Sequence, residues 1–84
     1  MIRIEPHAAE RIFERGASRE EVETTVQEGE TYPVKHGRTG FRHTLDVDGY
    51  WNGKRFHRKE VVVYAIEEGS DWIVVTVICR YFSY

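Results

Sequence analysis

Three side chains that can bind and cleave a phosphodiester recur every four residues in one short segment. They are His7, Arg11 and Arg15, and they lie between Pro6 and Gly16. If that segment is a helix, the spacing places all three along one face. Cleavage of RNA without a metal ion needs a base for the 2′-OH, an acid for the leaving 5′-oxygen and cations for the charge on phosphorus. The histidine can serve as the acid or the base. The two arginines can bind the phosphate, because a planar guanidinium donates to two phosphate oxygens.

Two residues near the end of the chain are expected to face this helix. Thr76, Ile78 and Arg80 alternate along the predicted last strand, so their side chains share one strand face. The hydroxyl of Thr76 and the guanidinium of Arg80 then complete the site. The predicted catalytic set is His7, Arg11, Arg15, Thr76 and Arg80.

The helix pattern has two other interpretations, and the sequence does not decide between them. In the first, the three side chains form a non-catalytic site for an anion or a partner. In the second, they are structural: His7 hydrogen-bonds near the helix start, and the arginines pair with glutamates of the following helix. Glu10 and Glu14 would then partly offset the local positive charge.

The charge of the chain is concentrated in its middle. The net charge is −2, yet residues 35–59 hold seven lysines and arginines against two aspartates. Aromatic residues next to cations can stack bases and hold phosphates. The predicted substrate-binding set is Arg42, Tyr50, Trp51, Lys54, Arg55, Arg58 and Lys59. Tyr50 and Trp51 also fit a second interpretation, in which the two rings fold back onto the sheet or are buried in a dimer contact. The pI of about 6.1 argues against a general nucleic-acid binder.

Metal, cofactor and membrane functions are not indicated. His36, His43, His57 and Cys79 lack the spacing of a metal site, and we predict no metal and no cofactor. Cys79 lies in an apolar run, so we expect a buried thiol in a reducing compartment. No apolar run reaches the roughly 20 residues that span a bilayer. The expected location is therefore the cytoplasm, without membrane contact.

Two helices with marked ends are predicted first. The first runs from about Pro6 to Arg15, because proline suits the first helical position and Gly16 suits the closing left-handed residue. The second runs from about Arg19 to Glu28, after the capping box of Ser18 and Glu21. The side chains expected to pack on the core are Ala8, Ala9, Ile12, Phe13, Val22 and Val26. Phe13→Ala is then expected to cost roughly 3–5 kcal/mol of stability.

A change of period from 3.6 to 2 marks the strands. They are a short edge strand, Thr31–Lys35, and three long strands, Phe41–Asp48, Phe56–Glu67 and Trp72–Phe82, with a hairpin tip at Gly49–Lys54. Ile2 and Ile4 are interpreted as an extended lead-in. The prediction is one α+β domain, residues 1–84, with an N-terminal two-helix hairpin packed on a three- to four-stranded antiparallel sheet. The apolar runs of the last two strands indicate that a loop, the C-terminal tail or a partner covers the second face.

The N-terminal third resembles a known family. The segment HAAERIFERGASREEV, followed by QEGE, resembles the opening of the bacterial family domain of unknown function 4258, and VVTV at 74–77 resembles its closing strand. The matching residues are His7, Ala8, Arg11, Glu14, Arg15, Gly16, Ser18, Val22, Gly29 and Glu30. The family is similar in architecture to RelE/ParE-like toxins, which implies a helical hairpin on an antiparallel sheet and an RNA-cleaving or ribosome-associated role. The acidic balance of this chain departs from those toxins, which tend to be basic.

Two functions of different classes follow. The first is a small toxin-like domain that binds RNA or the ribosome, with metal-independent RNA cleavage as its candidate activity and an antitoxin-like protein as its candidate partner. The alternative is a non-enzymatic protein-interaction or regulatory module that forms a homodimer. A basic cleft that joins the helix arginines to Arg42, Arg58 or Arg80 favours the first function. Burial of the helix arginines against carboxylates of the second helix favours the alternative.

Overall fold

The computed structural model describes residues 1–51 and 53–83, with the backbone alone at Trp51. Seven elements follow one another along the chain: β1 (Ile2–Ile4), α1 (Pro6–Glu14), α2 (Arg19–Glu28), β2 (Glu30–Val34), β3 (Arg38–Trp51), β4 (Lys54–Glu68) and β5 (Asp71–Phe82). Asn52 of the predicted hairpin tip and Tyr84 of the C-terminal tail lie outside the described residues.

The sheet is mixed and has five strands in the order β1-β5-β4-β3-β2. The predicted three- to four-stranded antiparallel sheet is therefore wrong. The added strand is β1, which runs parallel to β5 with Ile2 opposite Trp72 and Ile4 opposite Val74. The N–H of Glu5 donates to the carbonyl of Val74 at 3.1 Å. Three residues are too few for a clear strand pattern, and the pairing joins opposite ends of the chain, so no local turn signal predicts it.

The helices do not form the predicted hairpin unit on the sheet. The main contacts of α1 are with β5, whereas α2 packs on β3 and β4. Gly16, at φ 76°, lies in the short link between the helices. The capping box is confirmed: the N–H of Glu21 donates to Ser18 Oγ at 3.1 Å, and the N–H of Ser18 donates to Glu21 Oε1 at 2.8 Å. Local capping thus fixes where α2 begins, while the sheet fixes where each helix lies.

The predicted central strand pair is confirmed. β4 and β5 pair antiparallel from Glu68 opposite Asp71 to Arg58 opposite Phe82, with a tight turn between them. Gly69 adopts a left-handed φ of 62° in that turn, which glycine accommodates at little cost. A bulge interrupts the register between Tyr64 and Ala65. Both strands are slightly longer at the turn than the sequence predicted.

The core lies between the helices and one face of the sheet. Its strand side chains come from alternate positions, as a half-covered sheet requires. The buried members are Ala8, Ile12, Val22, Val26, Phe41, Val61, Val63, Ala65, Val74 and Val77. The ring of Trp72 packs edge-on against Phe41, with ring centroids 5.0 Å apart.

Phe13 is not part of this core. Its side chain is 87% exposed, so the prediction that it packs on the sheet is wrong. Ala9 is exposed as well. The seam of α1 is narrow and consists of Ala8 and Ile12, which are one turn apart and face β5. The neighbouring positions lie about 100° further round the helix and point away from the sheet.

The burial of α1 predicts unequal effects of two alanine substitutions. Phe13→Ala should change the free energy of unfolding by less than about 0.5 kcal/mol, as expected for an exposed site. Ile12→Ala should cost about 2–4 kcal/mol, because it leaves a cavity against β5. Urea unfolding of both variants measures the difference. A larger loss for Phe13→Ala than for Ile12→Ala would show that α1 faces the sheet differently.

Candidate functional site

A small groove forms where α1 runs beside the edge of β5. The strand β1 pairs with β5 only as far as Val74. Beyond that point, in the part of the chain that the structure describes, no strand pairs with this edge. The groove has a volume of about 190 Å³ and is lined by His7, Arg11, Arg15, Val75, Thr76 and Val77. We call it the β5-edge groove.

Four of the five predicted catalytic residues therefore meet in one place. The four-residue spacing brings His7, Arg11 and Arg15 to the side of α1 that faces β5, and Thr76 lies on the strand opposite them. The fifth, Arg80, is four residues further along β5, which is about 13 Å for an extended strand. Its guanidinium is ion-paired with Glu60 at 3.2 Å. Arg80 is thus separate from the groove.

Arg15 anchors the C-terminal end of the groove. Its Nη1 donates to the carbonyl of Val77, and the hydroxyl of Tyr81 donates to the carbonyl of Arg15. These bonds tie the last turn of α1 to the strand edge. Arg15 is half-buried, so its guanidinium has a fixed position beside the groove.

His7 and Arg11 are the accessible members of the groove. Both side chains are exposed. Among the described residues, the ion pairs shorter than 4.0 Å include neither Arg11 nor Arg15. The interpretation that these arginines pair with glutamates of α2 does not fit this arrangement. An exposed cation next to a fixed one is suited to bind an anion.

The predicted substrate-binding residues are elsewhere and are largely paired. All seven lie on β3 and β4, and three of the arginines pair with a carboxylate of a neighbouring strand. The pairs are Arg42 with Glu30 at 2.9 Å, Arg55 with Asp48 at 3.0 Å and Arg58 with Asp46 at 3.5 Å. The hydrogen bond from Arg55 lowers the pKa of the Asp48 carboxyl. These arginines are already partly neutralised, and they do not continue the β5-edge groove.

The hairpin formed by β3 and β4 carries the aromatic part of the predicted set. Tyr50 is opposite Arg55, and its side chain is 72% exposed. Trp51 is opposite Lys54 in the backbone register, and Lys54 is exposed. The side chain of Trp51 lies outside the described part of the structure. The ring of Tyr50 therefore does not fold back onto the sheet.

Lys59 has a structural position that sequence reasoning missed. It is 6% exposed, on the helix-covered side of β4. Its Nζ donates to the carbonyl of Gly16 at 2.6 Å and to Glu21 Oε1 at 2.8 Å. The alternation Lys59, Val61, Val63 was the available signal, because it puts the lysine on the face that carries the core.

The half-buried Cys79 and Tyr81 are unsuited to nucleophilic chemistry. Burial raises the pKa of the Cys79 thiol, which keeps it protonated. Burial also raises the pKa of Tyr81 to about 12. The described residues contain no cluster of three or more His, Cys, Asp or Glu that could hold a metal ion. Neither α1 nor α2 is long and apolar enough to cross a membrane.

The buried ion pair of Lys59 predicts that replacing this lysine costs much stability, whereas replacing an exposed lysine costs little. Lys59→Met should cost about 3 kcal/mol, because it leaves the Gly16 carbonyl and the Glu21 carboxylate without their cation. Lys54→Met is the matched control, and it should change stability by less than about 0.5 kcal/mol because Lys54 is exposed. Chemical unfolding measures both. Equal effects of the two substitutions would contradict the structural role of Lys59.

The raised pKa of Tyr81 predicts a loss of stability at high pH. The ordinary value is 10.0 and the folded value is about 12, so the unfolded chain ionises first. This contribution to stability is complete below about pH 10 and is lost as the pH rises to about 12. Urea unfolding at a series of alkaline pH values should show that Tyr81→Phe flattens this decline. Tyr50→Phe, at an exposed site, should not, and an unchanged decline in Tyr81→Phe would contradict the assignment.

The comparisons with known proteins give one family. The family model described as domain of unknown function (DUF4258) matches residues 4–79. No curated protein and no solved structure gives a significant match. The match includes α1, α2 and every groove residue, as well as most of the sheet. The chain therefore belongs to the DUF4258 family.

Proposed function

We propose that this protein is a cytoplasmic toxin-like domain of the RelE/ParE type that binds RNA through the β5-edge groove. One observation carries the proposal: His7, Arg11 and Arg15 line the same groove as Thr76, at an unpaired stretch of strand edge. Two guanidinium groups and an imidazole supply the donors that a phosphate oxygen accepts. Thr76 belongs to the opposite wall of the groove, at the strand edge.

The length of the groove suits an extended strand of RNA. Four residues of helix rise about 6 Å, so the side chains from His7 to Arg15 are spread over about 12 Å. That distance accommodates more than one phosphate of a single strand, in which the charges follow one another closely. Because the chain as a whole is slightly acidic, its RNA affinity should come from this local site rather than from a general attraction.

Cleavage at this site would use His7 as its acid or base. The reaction transfers one proton from the 2′-OH and another to the leaving oxygen. An imidazole is the side chain that most often transfers protons in such reactions, and His7 is the histidine of the groove. Arg11 and Arg15 would stabilise the charge on phosphorus. RNA binding and RNA cleavage at the groove are therefore tested separately. An antitoxin-like partner with acidic side chains could occupy the same groove and block it.

A binding assay with fluorescent single-stranded RNA tests the proposal. The unmodified protein should bind, and the affinity should fall steeply as salt rises. Arg11→Ala should weaken binding about tenfold, because it removes one charge-assisted contact worth about 1.4 kcal/mol. Arg11→Lys should weaken it less, since the ammonium keeps the charge and loses the planar fork. Arg19→Ala is the control, because Arg19 lies on α2, away from the groove, and pairs with Glu23 at 3.2 Å.

Two results would remove the RNA-binding function. One is the absence of salt-dependent RNA binding by the unmodified protein. The other is equal binding by Arg11→Ala, Arg19→Ala and the unmodified protein, which would place any RNA elsewhere. Cleavage has its own test: His7→Ala should abolish RNA cleavage and growth inhibition on overexpression while leaving the circular dichroism spectrum unchanged. Cleavage that survives His7→Ala would exclude the proposed role of His7.

A further inference from the structure

The sheet face opposite the helices has no element packed over it within residues 1–51 and 53–83. Alternation along β4 shows which side chains lie on this face. Val61 and Val63 face the core, so Val62 and Tyr64 face the other way. Residues opposite these in neighbouring strands share their face. We call this surface the open face; it includes Arg42, Thr44, Glu60, Val62, Tyr64, Ile66, Ile73, Thr76, Ile78, Arg80 and Phe82. β5 continues as a strand to Phe82, so the tail does not fold over this face as far as residue 82.

An apolar stripe follows the middle of the open face. Ile66 is opposite Ile73, and Val62 is opposite Ile78, with Tyr64 between the two pairs. Ile66 is 38% exposed and Phe82, at the end of the stripe, is 46% exposed. Val62 is itself 5% exposed, and Tyr64, Ile73 and Ile78 are half-buried, so the accessible part of the stripe lies at Ile66 and Phe82. An apolar stripe with accessible ends and no element packed over it is typical of an interaction surface.

Charges of both signs flank the stripe in matched pairs. Arg42 pairs with Glu30 at 2.9 Å, and Arg80 pairs with Glu60 at 3.2 Å. A nucleic acid would meet the two carboxylates at the same time as the arginines, which costs repulsion. A surface with as many positive as negative side chains can instead pair with a second copy of the same surface. In a two-fold arrangement, each arginine of one copy can face a carboxylate of the other.

We infer that the open face binds a second copy of this chain and forms a two-fold symmetric dimer with sheet packed on sheet. An apolar centre with a charged border is the usual composition of such an interface. The chain measures 40 × 24 × 21 Å, and a face of that length and width can supply the roughly 800 Å² per partner that stable dimers bury. The apolar stripes of the two copies would interleave at the usual sheet separation of about 10 Å.

This inference does not rest on the proposed RNA function. His7 and Arg11 belong to α1, which packs on the other side of the sheet and at the edge of β5. A dimer through the open face leaves both residues exposed in each copy. Thr76 is common to the groove and the open face, because it lines the groove and is opposite Tyr64. The RNA test changes Arg11 and the dimer test changes Ile66, so each can fail without the other.

Sedimentation at several protein concentrations tests the dimer. The unmodified protein should be a dimer, and Ile66→Glu should raise the dissociation constant at least about tenfold by placing a charge in the apolar stripe. Phe13→Glu is the matched control, because Phe13 is the most exposed large hydrophobic side chain of the described residues and lies on α1. It should leave the dimer unchanged. Thermal unfolding of each variant shows that the fold is kept.

Charge reversal gives an independent test that a folding defect cannot imitate. Arg80→Glu and Glu60→Arg should each weaken self-association, because each variant then presents like charges across the two-fold axis. An equimolar mixture of the two should restore a dimer, since opposite charges face each other again. A monomer at every concentration, or a dimer that Phe13→Glu disrupts and Ile66→Glu does not, would overturn the inference.

Discussion

The buried ammonium of Lys59 is the constraint on which the position of both helices depends. A buried charge is costly unless it is paired and hydrogen-bonded. Here the lysine donates to the Gly16 carbonyl and to the Glu21 carboxylate at 2.6 and 2.8 Å. The same oxygen of Glu21 accepts the N–H of Ser18. One charge on β4 thus fixes the link between the helices and the first turn of α2.

The fixed link in turn determines where α1 ends. At that end, Arg15 and Tyr81 bond α1 to the edge of β5. The short strand β1 fixes the other end, because it pairs with β5 only up to Val74. Between these two points α1 lies beside an unpaired strand edge, with His7 and Arg11 towards it. The β5-edge groove is a product of this arrangement, and among the described residues no ion pair shorter than 4.0 Å includes Arg11 or Arg15.

The sequence predicts the features that depend on local signals. Proline, glycine and the capping box mark the helices, and continuous apolar runs joined by a short turn identify β4 and β5. The four-residue spacing also brings His7, Arg11 and Arg15 together correctly. Features that depend on distant pairing were missed. The parallel strand β1 joins the two ends of the chain, and the narrow seam that excludes Phe13 depends on how α1 sits against β5. Arg80 was assigned to the site because it shares a strand face with Thr76. Its charge partner, Glu60, becomes its neighbour only through strand register, which no local signal predicts.

Amide chemical shifts during titration of the protein with single-stranded RNA test most directly whether RNA contacts the proposed site, the β5-edge groove. We expect the shift changes to centre on Arg11, Arg15, Thr76 and Val77 and to disappear at high salt. The amide shifts of the β3–β4 hairpin, and of Val62 and Ile66 on the open face, should not change. Shift changes confined to the hairpin or to β4 on the open face, with none at Thr76 and Val77, would contradict RNA binding in the groove.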